Sequence, residues 1–342
     1  MNLKSMHLNK FKTWAVAGAC LLMVAAGAVR ARGAIEGTAR TGAPAWLSLF
    51  GVAIEPDNSV FIVGSKGLLL TSSDQGKTWL QRTIKEREGS DLFQDRDLYA
   101  IRFSPAGKVG WIVGEDGIVM KTEDAGATWT KQTSGTTKNL FNLFPIDDQQ
   151  VVIVGADGTI LRTADGGAHW DTEKSPKVVS LFGIIFLDKN VGFTVGEFST
   201  ILATTDGGQN WNLAYGGNTT DFTVGPYFSI AFSDPQHGIA CGLAGDLLVT
   251  ADGGKSWQVQ KLPDQVASYI VAENPAAKKL WAAGAGGRMF LSTQPGQWQS
   301  LDRTAFHDIT DLAFVGNFGV AVGLNGTILL TNNGGEQWQA VQ

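Results

Sequence analysis

An eight-residue motif that recurs along the chain constrains the fold more than any other feature. The motif has a serine or threonine, an aspartate two positions later, a glycine two positions after that, and a final tryptophan, as in "TADGGAHW" at residues 163–170. Seven tryptophans end intact or degenerate copies, spaced by 50, 41, 41, 46, 41 and 40 residues. Self-similarity at this period is typical of propellers and solenoids.

Each repeat contains four short apolar runs separated by turn residues, as in residues 140–173. Four short strands in one repeat are the size of one four-stranded propeller blade. A linear solenoid would need polar capping repeats at its ends, and the sequence shows none. The sequence therefore predicts an all-β fold, a seven-bladed β-propeller of four-stranded antiparallel blades, with repeats at about residues 49–82, 98–132, 140–173, 181–214, 227–260, 269–300 and 309–340.

The recurrence of the motif predicts a structural role, because no enzyme needs seven copies of one site. Aspartate followed by glycine favours a turn in which the carboxylate accepts backbone N–H groups and glycine takes a positive φ. The tryptophan would pack between sheets. We predict no catalytic, cofactor-binding or metal-binding residue, and assign the structural motif to Asp74, Trp79, Asp124, Trp129, Asp165, Trp170, Asp206, Trp211, Asp252, Trp257, Trp298, Asn333 and Trp338.

The predicted first strands show regular alternation. Large residues recur on one face, as at Phe50, Val52 and Ile54, and small residues often occupy the other. Small side chains there would let neighbouring sheets approach near the propeller axis.

Residues 1–34 are predicted to form a separate segment ahead of a propeller at residues 35–342. Three lysines precede an uncharged apolar run of 16 residues, "WAVAGACLLMVAAGAV", and small residues suited to cleavage follow. This pattern predicts a signal peptide and export, to the periplasm in a bacterium. An uncleaved N-terminal anchor is the alternative, although the run is short for a spanning helix.

Without that segment the chain has 22 basic and 32 acidic residues, a net charge of −10. Such a balance argues against nucleic-acid binding, which needs a basic footprint. Cys241 is then the one cysteine, so no internal disulfide is expected. His169, His237 and His307 fall in different repeats, which argues against a shared metal site.

The motif matches the Asp-box, also called the bacterial neuraminidase repeat, which specifies a fold more than a function. Longer phrases are narrower: "VGEDGIVMKTEDAGATW", "VGADGTILRTADGGAHW" and "VGLNGTILLTNNGGEQW" resemble the photosystem II stability and assembly factors. This resemblance implies a single exported propeller without a cofactor. It also implies a non-enzymatic, protein-binding scaffold, which we expect to be monomeric. Its partners would be subunits of a membrane protein complex, photosystem II in the thylakoid lumen if the host is photosynthetic.

An Asp-box glycoside hydrolase, sialidase-like or glucanase-like, is the alternative, together with a carbohydrate-binding propeller. A sialidase-like enzyme holds a substrate carboxylate with several arginines, whose fork suits bidentate binding. Arg102 is the one arginine in the predicted first strands, and Asp311 is the one acid that we assign to the interior of a first strand. A glucanase-like enzyme needs paired carboxylates. The sequence therefore favours a binding protein, with Arg102 in a structural or partner-contact role.

Two long connections, residues 83–97 and 215–226, distinguish the crossings after the first and fourth repeats. Extra loops on a rigid scaffold often carry function, although drift in loop length is an equal alternative. Turns between second and third strands should reach the same face. Their mostly acidic ring should favour basic segments of a membrane partner, and the predicted partner-binding residues are Lys66, Glu115, Asp116, Asp157, Glu197, Phe198 and Arg102.

Overall fold

Each sequence repeat folds as one antiparallel sheet whose four strands lie in chain order. The second strand of each sheet is an almost continuous apolar run and is buried along nearly its whole length, as in Val60–Gly64. A run of this kind is buried on both faces because its sheet is stacked between two neighbours. The fourth strand is short and mostly exposed, as in Leu80–Arg82. The seven sheets are thus the blades of a β-propeller, as the motif spacing predicts.

The structure, a computed structural model, describes residues 42–43, 47–82, 96–218, 225–294 and 296–341. These residues belong to the unit Gly37–Gln342. The predicted signal segment and most of the two long connections lie outside the described residues. Within the described ranges, no helix is long and apolar enough to cross a membrane.

The described residues form 28 strands, four in each blade. Blades 1 to 4 contain β1 (Leu49–Ile54), β2 (Val60–Gly64), β3 (Leu69–Ser72), β4 (Leu80–Arg82), β5 (Leu98–Phe103), β6 (Gly110–Gly114), β7 (Val119–Thr122), β8 (Thr130–Gln132), β9 (Leu140–Pro145), β10 (Val151–Gly155), β11 (Ile160–Thr163), β12 (Asp171–Glu173), β13 (Leu181–Phe186), β14 (Gly192–Gly196), β15 (Ile201–Thr204) and β16 (Asn212–Tyr215). Blades 5 to 7 contain β17 (Tyr227–Phe232), β18 (Gly238–Gly242), β19 (Asp246–Thr250), β20 (Gln258–Lys261), β21 (Ser268–Asn274), β22 (Lys279–Gly284), β23 (Met289–Gln294), β24 (Gln297–Ser300), β25 (Ile309–Val315), β26 (Phe318–Gly323), β27 (Ile328–Thr331) and β28 (Gln339–Ala340).

The first strand of each blade is the innermost, and it contacts the first strands of both neighbouring blades. β25 of blade 7 contacts β1 of blade 1, which closes the ring. Within the described ranges every blade is built from one continuous stretch of chain, and no described strand is shared across the closure. Side-chain packing and polar contacts between blades 7 and 1 therefore hold the ring closed.

The hydrophobic core is divided into seven clusters, one between each pair of adjacent blades. The cluster between blades 7 and 1 contains Val52, Ile62 and Trp79 from blade 1 and Val320 from blade 7. In every blade the motif tryptophan packs on the side that faces the preceding blade. The motif therefore contributes to the packing between neighbouring blades as well as stabilising its own turn.

The intact motif is a turn held by side-chain oxygens. In blade 3 the Thr163 hydroxyl donates to Asp165 Oδ1 over 2.9 Å and accepts the Gly167 N–H, also over 2.9 Å. Asp165 Oδ1 accepts the His169 N–H over 2.9 Å. Gly166 and Gly167 have φ values of 69° and 87°, a region that favours glycine. The same bonds recur in the other intact motifs.

Blade 6 departs from this pattern because its motif lacks the aspartate and one residue. Its third and fourth strands stay paired up to Gln294 and Gln297, so a two-residue turn replaces the motif loop. In blade 1, by contrast, the loop runs from Ser72 to Leu80.

The motif aspartates predict a loss of stability in acid. Hydrogen bonds from Thr78, first from its hydroxyl and then from its N–H, lower the pKa of Asp74 from 3.8 to about 2. Because the folded-state pKa is depressed, the carboxylate stabilises the fold at neutral pH, and this contribution is lost as pH falls from about 4 to about 2. In Asp74→Asn the fall in unfolding free energy over that window should be smaller than in the wild type, measured by urea denaturation.

The seventh motif supplies the natural control for this substitution. Asn333 already replaces the aspartate there, and its Oδ1 accepts from the Thr331 hydroxyl over 2.8 Å and from the Gln337 N–H over 3.1 Å. An amide can therefore keep the turn, and Asp74→Asn should fold normally at pH 7. An unchanged pH dependence in the variant would contradict the prediction.

Candidate protein-binding face

The turns between second and third strands lie against the crossings from one blade to the next. In six of the seven blades the first backbone N–H of this turn donates to the carbonyl of a residue just before a first strand, as from Ser65 to Ser48 over 2.8 Å and from Leu324 to Asp308 over 2.9 Å. Because this contact recurs around the ring, the turns and crossings form one surface. We call it the crossing face.

Most of these turns pair a residue of positive φ with a following glycine. Asp116, for example, has a φ of 51° and precedes Gly117. The turn of blade 4 has no glycine, and Phe198 and Ser199 have φ values of 54° and 52°. Left-handed backbone costs a non-glycine residue about 1–2 kcal/mol. Blade 4 therefore places an aromatic residue on the crossing face in a conformation that local sterics disfavour.

Two of the predicted partner-binding acids accept hydrogen bonds from backbone N–H groups of the crossing face. Glu115 Oε2 accepts the Asp97 N–H over 2.9 Å, and Glu197 Oε2 accepts the Ser180 N–H over 2.8 Å. Both acceptors replace a hydroxyl that does the same in blade 1, where Ser65 accepts from a backbone N–H. Burial raises the pKa of Glu197 above its usual range. These two carboxylates have an intramolecular role, and partner binding by them stays a prediction.

Two further acids of the predicted ring are ion-paired. Asp116 lies 2.8 Å from Arg96, and Asp157 lies 3.6 Å from Lys138. Exposed pairs of this kind stabilise a fold little, but they neutralise charge that a basic partner would otherwise meet. The ring is consequently less acidic toward a partner than its sequence indicates. Lys66 is exposed, and its backbone N–H donates to Asp97 Oδ1 over 3.0 Å.

Aromatic side chains line the inner strands at the crossing face. Consecutive rings have centroids 5.4 to 5.9 Å apart. We call this set the aromatic arc, and it comprises Phe50, Tyr99, Phe141, Phe182, Phe228 and Tyr269.

Every member of the aromatic arc is the extra residue of a β-bulge. A bulge changes the direction of a side chain, so regular alternation along the strand fails at this position. The alternation that grouped Phe50 with Val52 and Ile54 is therefore wrong, since Val52 and Ile54 belong to the cluster between blades 7 and 1 and Phe50 contacts Tyr99. Blade 7 has the same bulge, but Thr310 occupies it.

Two apolar side chains on the crossing face are largely exposed. Val178, in the crossing from blade 3 to blade 4, is 81% exposed, and Phe306, in the crossing from blade 6 to blade 7, is 71% exposed. The guanidinium of Arg303 lies 4.7 Å from the centroid of the Phe306 ring. Among the large apolar side chains of the described residues, these two are the most exposed.

Arg102 and Asp311 form a polar clasp across the ring closure. Arg102 Nη1 donates to Asp311 Oδ2 over 3.0 Å, and Nη2 approaches Oδ1 at 3.4 Å. Asp311 Oδ2 also accepts the Val52 N–H over 2.9 Å. Blades 7, 1 and 2 are thus joined by one carboxylate. This geometry gives Arg102 a structural role, one of the two roles that the sequence left open.

The other candidate catalytic or metal-binding groups stay apart. Across the described part of the chain, no group of three or more His, Cys, Asp and Glu side chains is placed to hold a metal ion. His169 contacts Asp165, His237 contacts Asp234, and His307 contacts an asparagine, each within its own region.

We expect a measurable loss of stability when the charged side chain of Arg102 is replaced. Arg102→Met should lower the free energy of unfolding by about 2 kcal/mol, because Asp311 would stay buried without its counter-ion. The value lies below the 3–5 kcal/mol typical of fully buried pairs, since the Arg102 side chain is 29% exposed. Urea denaturation measures the change.

Arg82→Met is the matched control, because Arg82 is exposed on the outer strand β4 and should change stability by less than about 0.5 kcal/mol. Asp311→Asn keeps an acceptor for the Val52 N–H, and combining it with Arg102→Met should destabilise less than the sum of both single effects. Strict additivity would show that the pair does not couple.

The chain was compared with known families and structures. The family model described as photosynthesis system II assembly factor YCF48 matches residues 44–136 and 132–217, which together exceed half of the chain. A comparison with curated protein sequences finds no match.

Solved structures share the fold. YCF48 from Cyanidioschyzon merolae is 18% identical, with a TM-score of 0.68, over 86% of this chain and 99% of that one. A structure of YCF48 bound to D1 peptide is 19% identical, with a TM-score of 0.68, over 90% and 99%. The WD40 repeats of RRP9 are 14% identical, with a TM-score of 0.64, over 81% and 88%. The resemblance inferred from the Asp-box phrases is confirmed: this seven-bladed propeller belongs to the YCF48 family of photosystem II assembly factors.

Proposed function

We propose that the protein is a non-enzymatic, exported scaffold that binds a subunit of a membrane protein complex and assists its assembly or stability. In a photosynthetic host the complex would be photosystem II. Membership of a family of photosystem II assembly factors carries this proposal. The structure of YCF48 bound to D1 peptide supports it, because a propeller of similar fold holds a peptide.

The crossing face is the proposed contact surface for the partner. It combines the exposed side chains of Val178 and Phe306 with the three partly exposed members of the aromatic arc, Tyr99, Phe141 and Tyr269. It also includes Phe198, which packs in part against the cluster between blades 3 and 4. Since the acids of the turns are engaged within the protein, apolar contact should supply more of the affinity than charge.

The state of Arg102 supports a binding role over glycoside hydrolysis. A sialidase-like site needs arginines whose guanidinium groups are free to hold a substrate carboxylate. Arg102 is the single arginine in the first strands, and its guanidinium already holds Asp311. Asp311 is 4% exposed, and its carboxylate accepts two backbone N–H groups. The ion pair therefore stabilises the closed ring.

The proposed contact surface predicts a loss of partner recovery without a loss of folding. The double variant Val178→Ser/Phe306→Ser should reduce recovery of the membrane partner from solubilised membranes by about tenfold, the effect of losing about 1.4 kcal/mol of binding free energy, if these side chains are among the few that dominate the interface. Its thermal stability should stay close to that of the wild type, because both side chains are exposed.

Val259→Ser is the matched control. Val259 is 57% exposed but lies on the outer strand β20, away from the crossing face. Its recovery of partner should equal that of the wild type. Equal recovery by the double variant would show that the crossing face is not the contact surface, and hydrolysis of sialosides or β-glucans by the purified protein would overturn the non-enzymatic role.

Export is the second part of the proposal, and it depends on the basic and apolar pattern of residues 1–34. Cell fractionation with N-terminal sequencing should find a chain that begins between about residue 29 and residue 35, outside the cytoplasm. A tethered protein would instead be found in the membrane fraction with its N-terminus intact. A full-length protein in the cytosol would contradict export in either form.

A further inference from the structure

Three acidic side chains are buried among the described residues, and they differ in what their carboxylates contact. Asp311 binds Arg102 and accepts two backbone N–H groups, and Glu197 accepts the Ser180 N–H. Glu55 is 5% exposed, yet no hydrogen bond or ion pair to its carboxylate occurs within the described ranges. A buried carboxylate without a donor or a cation destabilises a fold when it is ionised. Glu55 is therefore the buried acid of the described chain whose ionisation is not offset by a partner.

Glu55 lies where blades 1 and 2 meet, at the end of the blades opposite the crossing face. It begins the turn between β1 and β2, and its N–H donates to the Ser59 carbonyl over 2.9 Å. Its side chain reaches the turn between β5 and β6 of the next blade, since a Cβ on Gly107 would lie 2.6 Å from Glu55 Oε2. Gly107 has a φ of 76° and carries no side chain, so its backbone can approach the carboxyl group closely. We call this contact between the two turns the turn junction.

The same junction recurs elsewhere in the ring with neutral hydrogen-bond donors. Glu55 follows the first residue of its inner strand by six positions, as Ser104 does in blade 2 and Asn274 does in blade 6. Ser104 donates its hydroxyl to Asp148, on the corresponding turn of blade 3. Asn274 donates from Nδ2 to the Gly316 carbonyl of blade 7 over 3.0 Å. These polar side chains thus join their blade to the next one by donating a hydrogen bond.

A glutamate can act in this way only while it is protonated, because a neutral carboxyl group has one O–H donor and a carboxylate has only acceptors. Burial, and then the negative charge of Asp57, raise the pKa of Glu55 from 4.5 to about 7. The charged groups on the neighbouring elements of blade 2 are Lys108 on its turn and Glu123 and Asp124 in the adjoining motif, and all three are exposed. Glu55 therefore gains and loses its proton near neutral pH.

We propose that Glu55 is a protonation switch that controls the turn junction between blades 1 and 2. In its neutral form the carboxyl group donates a hydrogen bond to the turn of blade 2, as Ser104 and Asn274 donate to the blades that follow them. When the proton passes to solvent, the carboxylate becomes hydrated and the two turns separate. A rise in pH thus loosens this end of the seam, while its apolar cluster stays packed. The inference goes beyond the proposed function, because it adds a response to pH to the scaffold.

The linkage between protonation and folding provides a first test. Because the pKa of Glu55 is higher in the folded chain than in the unfolded chain, stability falls as pH rises from about 4.5 to about 7. Between about pH 5 and about pH 8, the unfolding equilibrium constant should therefore rise at least about tenfold more in the wild type than in Glu55→Gln. The glutamine amide keeps a donor for the turn junction at both pH values. Urea denaturation of the full chain measures both constants.

Glu336→Gln is the matched control, because the side chain of Glu336 is 62% exposed. It should keep the pH dependence of the wild type. Glu55→Ser keeps the inference testable if Glu55→Gln folds poorly, since Ser104 and Ser233 occupy the equivalent position in blades 2 and 5. This variant too should lose the tenfold difference. An equal pH dependence in the wild type and in both Glu55 variants would overturn the switch.

Hydrogen exchange locates the response within the ring. In the wild type the amides of residues 55–59 and 104–109 should exchange at least about tenfold faster at about pH 8 than at about pH 5, after correction for the intrinsic pH dependence of exchange. In Glu55→Gln they should not. The turns of blades 6 and 7 that Asn274 and Gly316 connect should show no such change in either protein. An equal increase across all seven blades would indicate global unfolding and would contradict a local switch.

Discussion

The packed seam between two adjacent blades is the contact on which the whole protein depends. A four-stranded sheet with two apolar faces cannot stay folded unless both faces are covered, and here each face is covered by the next blade. Among the described strands none is shared between blades 7 and 1, so no backbone ladder between described strands joins them. Their seam is held by buried side chains and by the clasp in which Asp311 binds Arg102 and the Val52 N–H.

The seven seams have the same arrangement of strands but differ in the residues that pack at their outer ends. An intact Asp-box places a tryptophan against the preceding blade and satisfies its own turn with side-chain oxygens. In blade 3 the box also satisfies Gln132 of blade 2. Blade 6 has a degenerate motif, but Trp298 still packs in its seam with blade 5.

Binding by this protein is consistent with its rigid, repetitive scaffold. The blades present short turns and crossings on one face. Backbone hydrogen bonds between those turns and crossings hold this face in one conformation. A face held in this way loses little conformational entropy when a partner binds. Its acids serve mainly as internal acceptors, as Glu197 does for the Ser180 N–H, while Phe306 and Val178 extend into solvent.

The sequence by itself determined the fold, because the Asp-box is a local motif whose spacing counts the blades and whose residues satisfy one another within eight positions. It also pointed to the family through the longer phrases around the boxes. It missed the aromatic arc, since alternation assumes a regular strand and each arc residue lies at a bulge. Tertiary structure alone decided the rest. Arg102 and Asp311 are 209 residues apart and meet only when the ring closes. Long-range contacts of this kind depend on which blades become neighbours, and a motif read one repeat at a time does not contain that information.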